Sequence, residues 1–175
     1  MFDMDFLDLA KKRYSCREYK PDKVKKEDLM KILEAGRVSP SAHNNQPYKL
    51  LVIQEQENLE KVRKAGRVYN APLIIIVCGD TEAAWENSFN AQRNTDTDAA
   101  IITDHMMLTA TDLGLNTLWM AWFDREMIRK DFALPPNLEP INLLLVGYGE
   151  KEPKSPDRHA ETRKPLEELA FFEGL

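Results

Sequence analysis

Leu29, Ile32 and Leu33 fall at helical spacing between Lys26 and Val38. Glu27 and Asp28 stand near the start of that segment, where carboxylates favour the positive end of a helix, and Ser39-Pro40-Ser41 stops it. Leu50 to Gln54 reads as a short strand and Asn58 to Ala65 as a short helix. The β-branched run Leu73-Ile74-Ile75-Ile76-Val77 predicts a central strand buried on both faces.

Asp98 to Leu113 predicts a long helix, with Asp98 near its cap and Gly114 just past its end. Its apolar residues, from Ala99 and Ile102 to Met106, Leu108 and Leu113, fall on almost every side. A helix apolar all round must be covered all round, and in a chain this small a second subunit is the expected cover. Leu118 to Phe123 predicts another strand. Asp124 can cap the next helix, which Pro135-Pro136 ends, and Leu143 to Val146 is the last strong strand. After Gly149 the chain is polar and proline-rich through Pro165, with little to build a core, so it is expected to wrap something. Strands separated by helices predict a mixed α and β fold in one domain over 1–175, with 150–175 an extended tail.

The 175 residues make a normal single domain that buries roughly 70% of its unfolded surface. A net charge of −5 without a long basic run argues against nucleic acid as a partner. Cys16 and Cys78 form no metal-binding pair and fit a reduced cytoplasm. Asp3 and Asp5 at the start do not suit a signal peptide, and the apolar run Leu73–Cys78 is too short to span a membrane.

Several clusters could carry chemistry. Arg13-Tyr14-Ser15-Cys16-Arg17 puts two guanidiniums four apart around a hydroxyl, which suits an anion and equally suits a solvated helix end. The amide-rich Pro40-Ser41-Ala42-His43-Asn44-Asn45-Gln46-Pro47-Tyr48 is bracketed by prolines. A rigid loop of that kind can read the edge of a flat heterocycle, or simply connect a helix to a strand. Trp119 to Phe123 fits core packing or a cofactor wall, and Arg163-Lys164 fits a solvated pair unless the tail folds back. His43, His105 and His159 lack metal spacing, and Gly147-Tyr148-Gly149 does not complete a dinucleotide fingerprint. With no evident general acid or base, an enzyme of this sequence would take its chemistry from a cofactor.

In order along the chain, R-x-S-x-R at 13–17, P-S-x-x-N-x-Q-P-Y at 40–48, the long helix closed by Gly114-Leu115, the 119–123 strand and R-K-P-L-E-E at 163–168 resemble the nitroreductase family of FMN enzymes. The resemblance implies an α+β fold with a central mixed sheet flanked by helices, in an intertwined homodimer with FMN at the interface. It implies that Arg13, Ser15 and Arg163 hold the ribityl-phosphate, that Arg17 faces the N1/O2 edge, and that Tyr14 contributes through its backbone. Pro40, Ser41, Ala42 and Asn44 would come from the other subunit, and the backbone at Ala121 and Trp122 would approach N5. The implied activity is transfer of two electrons from NADH or NADPH to a small oxidised acceptor, nitroaromatic or quinone, by a ping-pong mechanism. Dehalogenation, flavin fragmentation and a non-catalytic flavin-binding dimer are the alternatives. Tyr48 and Trp122 depart from the family pattern, which more often has Trp and a small residue there. Trp85 and Phe89 suit either the pocket mouth or surface packing.

Overall fold

The computed structural model describes residues 5–174, so Asp3 of the acidic N-terminus lies outside the described residues. Six helices and four strands follow one another as α1 (Phe6–Lys12), α2 (Lys26–Val38), β1 (Tyr48–Ile53), α3 (Gln56–Ala65), β2 (Leu73–Asp80), α4 (Thr95–Asp112), β3 (Asn116–Met120), α5 (Arg125–Asp131), β4 (Leu138–Gly147) and α6 (His159–Thr162).

The β-branched run forms the middle of the sheet, whose order is β1-β2-β4-β3. Side chains of a strand alternate between faces, and both faces of β2 are dry. Ile74, Ile76 and Cys78 join Leu143 and Leu145 of β4 against Leu59 and Val62 of α3 and Ile128 of α5. Leu73, Ile75 and Val77 join Leu144 and Val146 against Ile32 of α2 and Ile102 and Met106 of α4. The result is a helical layer on each side of one sheet, which places the core where the sequence indicates.

The four strands pair antiparallel throughout, so the expected mixed sheet is mixed only at its edge. Among the described residues the parallel pairing is one bridge, Ser15 to Thr117. β4 is longer than its apolar stretch suggests and includes Pro140, which cannot donate to a ladder. The register shifts by one residue where Val77 pairs with Asn142 and Cys78 with Pro140, and that irregularity accommodates the proline. It also explains why β3 stops at Met120 instead of Phe123. The next partners on β4 would fall in the bulge, so Ala121 and Trp122 leave the ladder.

α4 begins earlier than its apolar pattern indicates. Asn94 is the cap, accepting a hydrogen bond from the Thr97 N–H, and Asp98 is buried inside the first turns. Gly114 ends α4 with φ +80°, while Leu115 N–H donates to the Ala110 carbonyl and Gly114 N–H to that of Thr111, the closure that a left-handed residue permits. α1, α2 and the sheet cover much of the helix, leaving Ala100, Ile101 and Leu108 half-buried. Asp124 caps α5 as expected, accepting from Met127 N–H.

The chain exposes 11233 Å² of surface. A compact monomer of this mass exposes about 8,800 Å². Much of the excess is apolar: Phe6 and Leu7 on α1, Met30 and Val38 on α2, and Leu166, Leu169, Phe171 and Phe172 in the tail are all exposed. Among the described residues, no helix is long and apolar enough to cross a membrane.

Both cysteines are free and buried, and burial pushes the Cys78 thiol up to about 12. Neither should react with a thiol reagent at neutral pH in the native protein, and both should react in denaturant; native labelling of Cys78 would show an open core. Gly79 sets the approach of α4 to the sheet, since an added Cβ would lie 2.5 Å from Thr95 Cβ and 2.6 Å from Ile141 Cδ1. Gly79→Ala should therefore cost about 1–3 kcal/mol in urea unfolding.

Candidate active site

α1 ends at Arg13, and the chain then runs extended beside β3. Cys16 N–H donates to the Thr117 carbonyl (2.9 Å), and the Cys16 side chain is buried in the core. Alternation along an extended segment then puts Arg13, Ser15 and Arg17 on the opposite side from Cys16. These three line a cavity of about 260 Å³ whose other wall comes from the tail, with Lys154, Arg158, Thr162 and Arg163.

The tail folds back because Arg158 ties it down. Its guanidinium donates to the carbonyls of Arg13 (2.6 Å), Lys11 (3.1 Å) and Ser155 (2.7 Å). His159 adds a contact between Nε2 and the Lys11 carbonyl at 3.2 Å. Arg163 is thereby carried into the cavity, while Lys164 turns away to pair with Glu168. Arg163-Lys164 is thus not a simple solvated pair.

Five cations converge here, and among the described residues none of Arg13, Arg17, Lys154, Arg158 and Arg163 has a salt-bridge partner. Burial first, then the charges of Arg158 and Arg163, hold the Arg13 guanidinium below its ordinary pKa, with Asp104 partly offsetting them. Burial, followed by the neighbouring Cys16, pushes the Tyr14 phenol up to about 12, so it stays a neutral donor. Like charges held together with so little opposing charge are unfavourable, and a multivalent anion relieves that repulsion.

Ala121 and Trp122 follow β3 at the same edge of the sheet, and Trp122 is 82% exposed. A single chain therefore brings together Arg13, Tyr14, Ser15, Arg17 and Arg163, with Ala121 and Trp122 farther along β3. Lys154, Arg158, His159 and Thr162 also line the cavity, though they belong to no motif of the sequence. The available signal was the basic pair Arg158-His159 so close before Arg163.

The amide-rich segment lies elsewhere. It carries three non-glycine residues with positive φ, namely His43 (51°), Asn44 (57°) and Gln46 (51°). Such conformations persist only where surrounding contacts fix them. Buried Asp98 accepts from Ala42 N–H (3.0 Å), Ser41 Oγ accepts from Gln46 N–H (3.0 Å), and Gln46 Nε2 donates to the Asn44 carbonyl (3.0 Å). Asn45 reaches the Ala83 carbonyl at 3.1 Å, and His43 stacks on Trp85 at 5.2 Å between centroids. Pro40 and the Asn44 side chain face solvent, while Ser41 and Ala42 are half-buried. Asp98 thus holds this loop instead of capping α4.

The two clusters occupy opposite corners of the sheet. The loop enters β1 at Tyr48, which pairs with Gly79 at one end of β2. Ser15 sits on the far side of β3, beside Thr117, whose partner Val146 pairs with Leu73 at the other end of β2. Four strand spacings amount to roughly 19 Å. Along α4, Asp98 and Thr111, which flanks Arg13, are roughly 20 Å apart. A single chain does not bring Pro40, Ser41, Ala42 and Asn44 to the cation cavity.

Comparison with known proteins agrees with this architecture. The sequence profile described as "Nitroreductase family" matches residues 10–66 and 60–148. A Clostridium difficile 630 nitroreductase family protein of known crystal structure is 52% identical, with a TM-score of 0.97 over 98% of this chain and 100% of that one. An FMN-dependent nitroreductase from Clostridium difficile R20291 is 26% identical, with a TM-score of 0.79 over 95% of this chain and 98% of that one. A Methanothermobacter thermautotrophicus protein provisionally named NADH dehydrogenase/NAD(P)H nitroreductase is 33% identical over 94% of this chain and 87% of its own length. By its sequence over most of its length and by its fold, the chain belongs to the nitroreductase family.

Proposed function

We propose that the protein is an FMN-dependent oxidoreductase that works as a homodimer, with each site built from two chains over the single domain 1–175. The observation that carries this reading is the cavity of five cations with no salt-bridge partner among the described residues, beside a chain edge that ends in Ala121 and Trp122.

The residues present fit FMN. A dianionic phosphate suits Arg13, Ser15 and Arg163, and the tail residues Lys154 and Arg158 add positive potential to the same cavity. Arg17, on the same face two residues on, would meet the N1/O2 edge and favour negative charge there. Tyr14 would contribute its backbone, and the backbone after β3, at Ala121 and Trp122, would orient the ring. When bound, FMN supplies the redox chemistry, accepting hydride from NADH or NADPH and returning two electrons to a small acceptor such as a nitroaromatic or quinone in separate half-reactions.

The partner's Pro40, Ser41, Ala42 and Asn44 would complete the site, because one chain holds that loop too far from its own cations. A second copy would also cover the exposed apolar residues of α1, α2 and the tail. The free, buried thiols Cys16 and Cys78 support a reducing compartment such as the cytoplasm.

The purified protein should be yellow, bleach anaerobically with NADH or NADPH, and sediment at twice the mass of one chain. Arg17→Ala should weaken FMN binding by about 1.5–3 kcal/mol, roughly ten- to a hundredfold in a fluorescence titration, without lowering stability. Unchanged affinity and an unchanged rate of bleaching would remove Arg17 from the site. A mixed dimer of one Arg13→Ala chain and one Asn44→Ala chain has one intact site and one doubly altered site if sites are shared. It should bind half the wild-type FMN with native affinity; the absence of any site of native affinity would mean that each chain builds its own.

A further inference from the structure

The tail leaves the body of the fold at Glu150, whose N–H donates to the Glu18 carbonyl, and Lys151 then pairs with the Glu18 carboxylate. From Glu152 to Gly174, among the described residues, every residue is exposed except Arg158 and His159. The same two supply all the hydrogen bonds described between that stretch and the rest of the chain. Leu166, Leu169, Phe171 and Phe172 are exposed, so no apolar contact with its own chain holds the tail down instead.

The last carbonyls of a helix have no partner within it, and an arginine can take them. Arg158 does this at the end of α1, where its guanidinium reaches the Lys11 and Arg13 carbonyls while also holding Ser155 of its own segment. A planar fork can serve these acceptors together, whereas an ammonium is a point charge without that geometry. Arg163 is tied to the same group. α6 is a single turn, closed by Arg163 N–H donating to the His159 carbonyl (3.1 Å) and by Thr162 Oγ donating to the Arg158 carbonyl (2.7 Å). Arg158 to Arg163 therefore moves as one turn, and Arg163 lines the cation cavity only while Arg158 grips α1. Repulsion opposes that closure, since after burial it is Arg158 and Arg163 that hold Arg13 below its ordinary pKa.

We infer that the tail is a strap over the cation cavity, that Arg158 is its latch, and that a bound phosphate closes it. Arg158 is a positioning residue: backbone carbonyls take its donors, and it acts on the anion by placing Arg163. The inference rests on the flavin reading above insofar as the anion is the phosphate of FMN. It adds that retention of the cofactor is set by the grip of the tail on α1. A ligand that binds the closed strap better than the open one shifts the strap toward closure by that difference in affinity.

The test is hydrogen–deuterium exchange of residues 154–163 in the intact chain, read by mass spectrometry. It is run on the protein freed of FMN by dialysis, then with inorganic phosphate, then with FMN. The release of FMN on dilution is followed in parallel by free flavin fluorescence. In the wild type, exchange should slow with phosphate and slow further with FMN. Arg158→Lys keeps the charge and loses the fork. It should release FMN about tenfold faster or more, as loss of charged hydrogen bonds implies. Its strap should exchange fast in phosphate and slow again at saturating FMN, which a merely structural defect would not do. Arg158→Gln should behave in the same way. Release from Arg158→Lys at the wild-type rate, or a wild-type strap indifferent to both anions, overturns the inference. A protein that refuses FMN but whose strap still slows with phosphate keeps the latch and loses the flavin.

Discussion

The inextensible pair of strands at the centre, β2 and β4, fixes where every other group in this protein can go. Both faces of both strands are covered by helices, and most of their apolar side chains are fully buried. A sheet packed this way is close to incompressible, so it cannot bend to bring its corners together. The cation cavity hangs on one edge through Ser15 and Thr117, and the amide loop enters the other at Tyr48. What would be a loose collection of polar residues in a flexible chain becomes two polar clusters at a set distance. Their separation follows from strand count and helix length alone, independently of any side-chain rotamer.

Each cluster is held at a local cost that its surroundings offset. In the loop, three left-handed residues are stabilised by Asp98, by the Ser41 hydroxyl and by the stack of His43 on Trp85. In the cavity, the cost is electrostatic, since Arg13 sits partly buried near Arg158 and Arg163. Arg158 limits that cost by spending its donors on three backbone carbonyls, which are negative ends of dipoles. One residue therefore neutralises the exposed carbonyls at the end of α1 and anchors the tail. The remaining repulsion is what a bound phosphate would remove, so anion binding and tail docking should reinforce one another.

Much of the fold was legible because periodicity and burial are local signals. The run Leu73–Val77 could hardly be anything other than a central strand, and Gly114 marks the end of α4 because a left-handed residue is needed there. The start of α4 was misplaced because its first turn is polar and its cap, Asn94, precedes the apolar pattern. Asp98 looked like a cap because carboxylates commonly are; its bond to Ala42, 56 residues away, is invisible to local reasoning. The end of β3 was missed for a similar reason, since the bulge that stops it lies on β4. Arg13, Ser15 and Arg17 stand out in the sequence as two guanidiniums around a hydroxyl, a pattern that equally suits a solvated helix end; only the extended run beside β3 puts them on one side. Lys154 and Arg158 do not stand out, because a polar, proline-rich tail gives no sign of the wall against which it folds.

Trp122 joins these strands of reasoning. Its backbone leaves the sheet because of the bulge at Pro140 and Ile141, a feature with no local signal at residue 122. Released from the ladder, its side chain has no core position to take and stands over a groove lined by Arg63, Lys64 and Arg67. A small residue at that position would leave the groove open and without an aromatic wall. The exposed indole instead stands beside the basic end of α3. Arg17 borders both the cation cavity and the space leading to this groove, so the two basic regions meet at one guanidinium, on the strand edge that the bulge on β4 leaves unpaired.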